Sequence, residues 1–159
     1  MERFAIHELS VGAGVLALCP LPGRDGHYED DLAVLRNWQP DLVVSMTQVH
    51  EMAEVGALLL GDDLEKHGCG WLHLPVEDFG TLGPSDEAEW ATVRRAALAL
   101  LSAGNKVLVH CKGGCGRSGM VVLRLMIIAD EAPDAALARL RQVRPCAVET
   151  LDQLKWAQS

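Results

Sequence analysis

The chain lacks several features that would define its class at once. No basic stretch leading into an apolar run opens it: Met1-Glu2-Arg3-Phe4 has neither, which argues against a signal peptide. No apolar run is long enough to span a bilayer, since the longest, Val121 to Ala129, is short and broken by Arg124. Positive charge is scarce. With 14 Lys and Arg against 22 Asp and Glu the formal net charge is -8, so the global field repels nucleic acid and anionic membrane surfaces. Neither a nucleic-acid partner nor membrane insertion is expected. The five cysteines (Cys19, Cys69, Cys111, Cys115, Cys146) are odd in number and form no extracellular framework, which points to a reducing, cytoplasmic home. No repeat, low-complexity tract or linker interrupts the 159 residues, so one domain over 1–159 is expected. That length buries a core without disulfides or a structural metal. The oligomeric state leaves no mark in the sequence.

What is present is an alternation of apolar runs and helical patterns, the signature of an α/β domain with a mainly parallel central sheet flanked by helices. Val15 to Leu18, Leu42 to Val44, Trp71 to Val76 and Val107 to Val109 read as strands. Asp30 to Trp38, Glu51 to Leu60, the stretch between Pro84 and Gly104, Ser118 to Ala129, the segment opened by Pro133-Asp134, and Thr150 to Trp156 read as helices. Asp86 and Glu89 suit a capping box. Ser118 to Ala129 is apolar nearly all round, so that helix should be buried on every side.

One segment concentrates chemistry. In Val107-Leu108-Val109-His110-Cys111-Lys112-Gly113-Gly114-Cys115-Gly116-Arg117-Ser118-Gly119, a buried strand meets a buried helix through a glycine-rich turn. Gly113, Gly114 and Gly116 let the backbone curl so that successive N–H groups, from Lys112 to Arg117, face one point and form an anion nest. The helix adds its positive end there. Arg117 can grip two oxygens of a phosphate together, which lysine cannot. A cysteine placed in such a field is favoured as the thiolate form that attacks electrophiles. Cys111 is thereby a nucleophile aimed at phosphorus. A zinc site from His110, Cys111 and Cys115 is disfavoured because no second ligand cluster with suitable spacing exists. No metal or cofactor is expected.

His110-Cys111-(five residues)-Arg117-Ser118 resembles the signature of the protein tyrosine phosphatase superfamily, and of its small dual-specificity branch. Leu21-Pro22-Gly23, Pro75 to Thr81, Leu140 to Arg144, and Ala147 to Thr150 with Gln153 are similar to the kinase-associated phosphatases of that branch. The resemblance implies a phosphate-monoester hydrolase working through a phosphocysteine. Expelling the leaving oxygen needs a proton donor. Strands ending at Val76 and Val109, taken as parallel neighbours, deliver their loops to one carboxyl edge and set Asp78 facing Cys111. Asp78 also matches the family's general acid, with Glu77 and Asp86 as competitors. Ser118 is expected to donate to the departing thiolate, or to cap the helix, or both. The resemblance makes His110 an organiser of the cradle backbone, and places Glu149 and Gln153 where larger relatives carry water-handling glutamines. Glu149 is a departure; as a carboxylate it should point away from the phosphate or meet Arg144. Gln153 is either a helper or a solvent-facing helix residue.

No insertion is present to build a deep, tyrosine-only cleft. The expected substrate is therefore a phosphorylated protein, with phosphotyrosine and phosphoserine or phosphothreonine both accepted. Lys112 beside the phosphate leaves a phosphoinositide or small-molecule phosphate open. Rhodanese-like or arsenate-reductase-like chemistry also uses a thiolate in an anion loop but needs no loop carboxylic acid. A non-catalytic phospho-binding module is at odds with an intact Cys111, Arg117 and Ser118. A disulfide between Cys111 and Cys115 on oxidation is a further, less favoured expectation.

Overall fold

Leu42-Val43-Val44-Ser45 is buried at all four positions, the pattern of a strand covered on both faces. The computed structural model, which describes residues 3–159, makes it β3 (Leu42–Ser45) of a five-stranded sheet. The other strands are β1 (His7–Val11), β2 (Gly14–Cys19), β4 (Gly70–His73) and β5 (Lys106–His110), in the order β1-β2-β5-β3-β4. Only β1, hairpinned onto β2, runs antiparallel. Ser45 pairs with His110, Cys19 with His110, and His73 with Ser45, so the four parallel strands end flush. Everything that follows them emerges at one carboxyl edge.

Pleating sends alternate side chains to opposite faces. Leu16, Leu18, Val44, Val107 and Val109 meet α4 (Glu87–Ser102), α5 (Gly116–Ile128), α6 (Pro133–Val143) and α7 (Leu151–Gln158). Ala17, Cys19, Val43 and Leu108 meet α1 (Tyr28–Trp38), α2 (Val49–Glu54) and α3 (Leu60–Glu65). α5 is buried at every position from Gly116 to Leu123, as its unbroken apolarity requires.

Several expectations are corrected. The helix read over Glu51 to Leu60 is two helices, because Gly56 takes φ +72 and Ala57 N–H returns to the Met52 carbonyl, ending α2. The strand expected to reach Val76 ends at His73, although Leu74 and Val76 still donate to Ser45 and Met46 carbonyls. β4 is not the neighbour of β5; β3 lies between them. Asp86 caps a single 3-10 turn (Pro84–Asp86) by accepting from Gly83 N–H, rather than forming a box with Glu89. β1 has no strong sequence signal, burying only Leu9 and Val11.

Candidate active site

The cradle runs from Cys111, just past β5, to Gly116, the first residue of α5. Its carbonyls are taken up from outside. Lys112 O accepts from Leu21 N–H (3.1 Å), and Cys115 O from Gly119 and Val148 N–H (3.0 and 3.1 Å). Arg144, buried behind the loop, donates to Gly113 O (2.9 Å) and Gly114 O (3.1 Å). A trans peptide points its N–H opposite to its carbonyl. With four consecutive carbonyls held outward, the N–H groups of Gly113, Gly114, Cys115 and Gly116 converge inward, which is an anion nest. Gly114 is indispensable to that curl: it has φ +70, and a Cβ there would lie 2.6 Å from the Cys19 carbonyl carbon.

Cys111 is buried, with its Sγ 3.2 Å from Ser118 Oγ. Arg117 is also buried and fixed at one end. Its Nη1 and Nη2 donate to the two Glu51 oxygens (2.8 Å each), and Nη1 also to Val76 O (2.8 Å). Burial works against the Glu51 carboxylate, but hydrogen bonds from Arg117 and Gln48 N–H outweigh it and lower its pKa. Burial likewise works against the guanidinium, and Glu51 outweighs it and raises the arginine's pKa. Asp78 Oδ1 lies 3.3 Å from Nη2, at the half-exposed mouth. Arg117 Nε is buried with no protein partner.

His110 is wholly buried, and burial pushes its pKa down to about 4, so the ring is neutral near pH 7. Trp71 Nε1–H can only donate, and donates to Ser45 Oγ (2.8 Å). Ser45 then donates to His110 Nε2, leaving Nδ1–H for the Cys111 carbonyl (3.2 Å). This relay of hydrogen bonds holds the first cradle residue.

Gln153 is buried, not solvent-facing: its Oε1 accepts from Glu149 and Thr150 N–H (2.9 and 3.2 Å), and its Nε2 donates to Gly80 O (3.2 Å). Its amide is a strut between α7 and the loop of Asp78. Glu149 is exposed. Its Oε1 and the Gln153 amide lie over Gly116, where an added Cβ would have to displace them. Cys115 is joined to Cys146 by a disulfide, leaving Cys19, Cys69 and Cys111 free. The bond engages the sulfur that a Cys111–Cys115 disulfide would need. Lys112 stands half-buried beside the cradle. Among the acid candidates, only Asp78 is brought to Arg117; Asp86 is occupied as a cap and Glu77 is exposed. Glu51, Arg144 and Ser45 were missed. Gln48 and Glu51 do form a capping box, but that spacing signals a helix start, not a partner for Arg117. Among the described residues no group of His, Cys, Asp or Glu is arranged to hold a metal ion.

A thiol and a guanidinium facing one anion nest, at the carboxyl edge of a parallel sheet, define a cysteine-dependent phosphatase. A family profile described as "Polymorphic toxin system, DSP-PTPase phosphatase" matches residues 17–131, and the chain belongs to that family. It is a phosphoric monoester hydrolase of the small dual-specificity branch. The mouse protein named cyclin-dependent kinase inhibitor 3 is 29% identical over 148 residues, covering 89% of this chain and 69% of the mouse protein. A crystal structure of kinase associated phosphatase, its catalytic-site cysteine replaced by serine, superposes with a TM-score of 0.85 at 24% identity, covering 99% of this chain and 93% of the other. At that identity the likeness concerns the fold. Tk-PTP in its active form gives a TM-score of 0.72 at 28% identity, over 90% of this chain and 88% of its own.

Proposed function

We propose that Cys111 is the nucleophile, Arg117 the phosphate clamp, Asp78 the general acid and Ser118 the donor to the departing thiolate. The thiolate attacks phosphorus, the bond to the leaving oxygen breaks, and Asp78 gives that oxygen its proton. Water then attacks the phosphocysteine and loses a proton to Asp78, while Ser118 O–H hydrogen-bonds the released Cys111 thiolate. The observation that carries this reading is the state of Arg117. Glu51 holds both terminal nitrogens from behind, and the buried Nε lacks a partner, as a phosphate-binding atom does before its anion arrives. Asp78 lies within 3.3 Å of the same guanidinium, where a leaving oxygen would be.

The proposed substrate is a phosphorylated protein, with phosphotyrosine and phosphoserine or phosphothreonine both accepted. The names of the mouse kinase inhibitor and of kinase associated phosphatase support a kinase-like protein substrate. Lys112 at the rim supports a phosphoinositide as the second reading. The catalytic unit is proposed to span 1–159. Thiolate chemistry at Cys111 favours a cytoplasmic, thiol-preserving compartment, while the Cys115–Cys146 bond requires that reduction there be incomplete.

Cys111→Ser should abolish hydrolysis of p-nitrophenyl phosphate and leave binding of inorganic phosphate intact by calorimetry. Chelators should leave the parent unaffected. Turnover by the serine variant, or dependence on a divalent metal, overturns the mechanism.

A further inference from the structure

The contacts that hold the cradle from behind include one covalent bond. Cys115, the residue before α5, is joined to Cys146 in the 144–150 loop between α6 and α7. The other contacts there are reversible. Arg144 donates to Gly113 and Gly114 carbonyls, Val148 N–H to Cys115 O, and Arg141 to Ala147 and Val148 carbonyls (3.0 Å each). Val148 itself has φ 66, a region that β-branched residues rarely occupy, so the loop keeps a shape it would not choose unaided.

Two features make the bond exchangeable. Cys146 is exposed, so an external thiolate can reach its sulfur. Cys115 lies at the N-terminus of α5 with its Sγ 3.8 Å from Arg144 Nη2. Both the helix end and the guanidinium stabilise a thiolate there. A stabilised thiolate is the better leaving group in exchange, so attack at Cys146 expels Cys115.

We propose that Cys115–Cys146 is a reversible redox latch on the phosphate cradle, closed in the form that binds phosphate tightly and opened by a dithiol reductant. The proposal rests on the cradle being the phosphate site. One thiolate of the dithiol attacks Cys146 Sγ, forming a mixed disulfide and releasing the Cys115 thiolate. The second thiolate of the dithiol attacks the reductant sulfur of that mixed disulfide and releases Cys146. Two electrons pass from dithiol to protein, the reductant leaves as its own disulfide, and its two protons end on the protein sulfurs or in solvent. Opening loosens the 144–150 loop, whose Arg144 holds the Gly113 and Gly114 carbonyls outward, and gives that guanidinium a competing thiolate at Cys115. Cys111 takes no part: it is buried and free, with its Sγ against Ser118 Oγ and bonded to no other sulfur.

The test uses the whole chain, kept anaerobic, in buffers poised between reduced and oxidised dithiothreitol. Alkylation and mass spectrometry count the thiols: Cys19, Cys69 and Cys111 in the closed form, all five cysteines in the open one. Inorganic phosphate is the binding probe and p-nitrophenyl phosphate the substrate. On opening, the phosphate Kd and the KM should rise by roughly tenfold, as the loss of about one hydrogen bond to a charged group implies. The kcat should change far less, and all should recover on reoxidation. Cys146→Ser should behave as the open parent in every buffer, and Cys115→Ala/Cys146→Ala should ignore the redox poise. If either variant fails to fold, the redox titration of the parent decides alone. Equal phosphate Kd in the two forms, a poise-dependent double variant, or a bond that excess dithiothreitol leaves closed in the folded protein overturns the latch. Redox-dependent phosphate binding without turnover would instead remove the catalytic reading and leave the latch standing.

Discussion

Arg117 illustrates how a buried charge is held ready for a ligand. Ion pairing to Glu51 satisfies the guanidinium from behind, and breaking such a pair by removing one partner costs about 3–5 kcal/mol. The pair therefore fixes the orientation of the remaining face rather than merely adding stability. Lysine at 117 would keep the charge, lose the bidentate grip on Glu51, and offer no Nε. Arg117→Lys should lower kcat/KM for p-nitrophenyl phosphate by at least ~100-fold, the cost of one preorganised transition-state donor. Near-parent kinetics would place the phosphate elsewhere. Glu149 is the opposite case, an exposed carboxylate whose Oε1 rests over Gly116 at the first turn of α5.

Among the elements, the loop after β4 couples two distant parts of the chain. Val76 N–H bonds to Met46 O, Val76 O accepts from Arg117, and Gly80 O accepts from Gln153. Between these anchors Phe79 takes φ +61, with its N–H on Asp78 Oδ1 (3.0 Å) and its ring exposed. The loop is thus pinned at both ends while Asp78 itself stays half-exposed. In Asp78→Asn, hydrolysis of phosphotyrosine or an alkyl phosphate should fall by roughly 10²–10⁴-fold. Aryl phosphates whose phenol leaves easily as an anion should suffer much less. Across a series of aryl phosphates, the variant's rates should depend steeply on leaving-group pKa and the parent's hardly at all. Equal slopes would remove Asp78 from the mechanism.

At the scale of the whole molecule, the strand ends at one sheet edge carry both the site and a pH sensitivity of folding. His110, at the end of the central strand, has its pKa lowered by burial to about 4 from the 6.5 of an exposed histidine. Between those values the unfolded chain binds the proton that the folded one refuses, so stability falls as pH drops through that window. The loss should reach about 3 kcal/mol by pH 4. The Glu51 contribution is lost only below the ordinary carboxylate value of 4.5, since its pKa is lowered, so the two effects separate. Urea midpoints measured from pH 7 to pH 4.5 should fall in the parent and stay flatter in His110→Asn. The same slope in both would mean that His110 is not the titrating group.

Local chemistry was legible wherever neighbours in sequence are neighbours in space. The cradle from His110 to Ser118, the buried helix after it, and the parallel strands follow from residue types, glycine placement and periodicity, all within a few residues of one another. So does the pairing of Cys111 with Ser118, seven positions apart across the turn. What the sequence could not supply are the partners brought from far along the chain. Glu51 reaches Arg117 across 66 positions, Arg144 reaches the cradle carbonyls across about 30, and Cys146 reaches Cys115 across 31. None of these carries a local signal, because a buried carboxylate, a helix-end arginine and an isolated cysteine look the same in sequence whether paired or not. Sheet order, which sets β3 between β4 and β5, is likewise a choice among packings of similar strands. Only folding the chain decides which distant side chains meet, since that depends on how the strands and helices stack and not on any one of them.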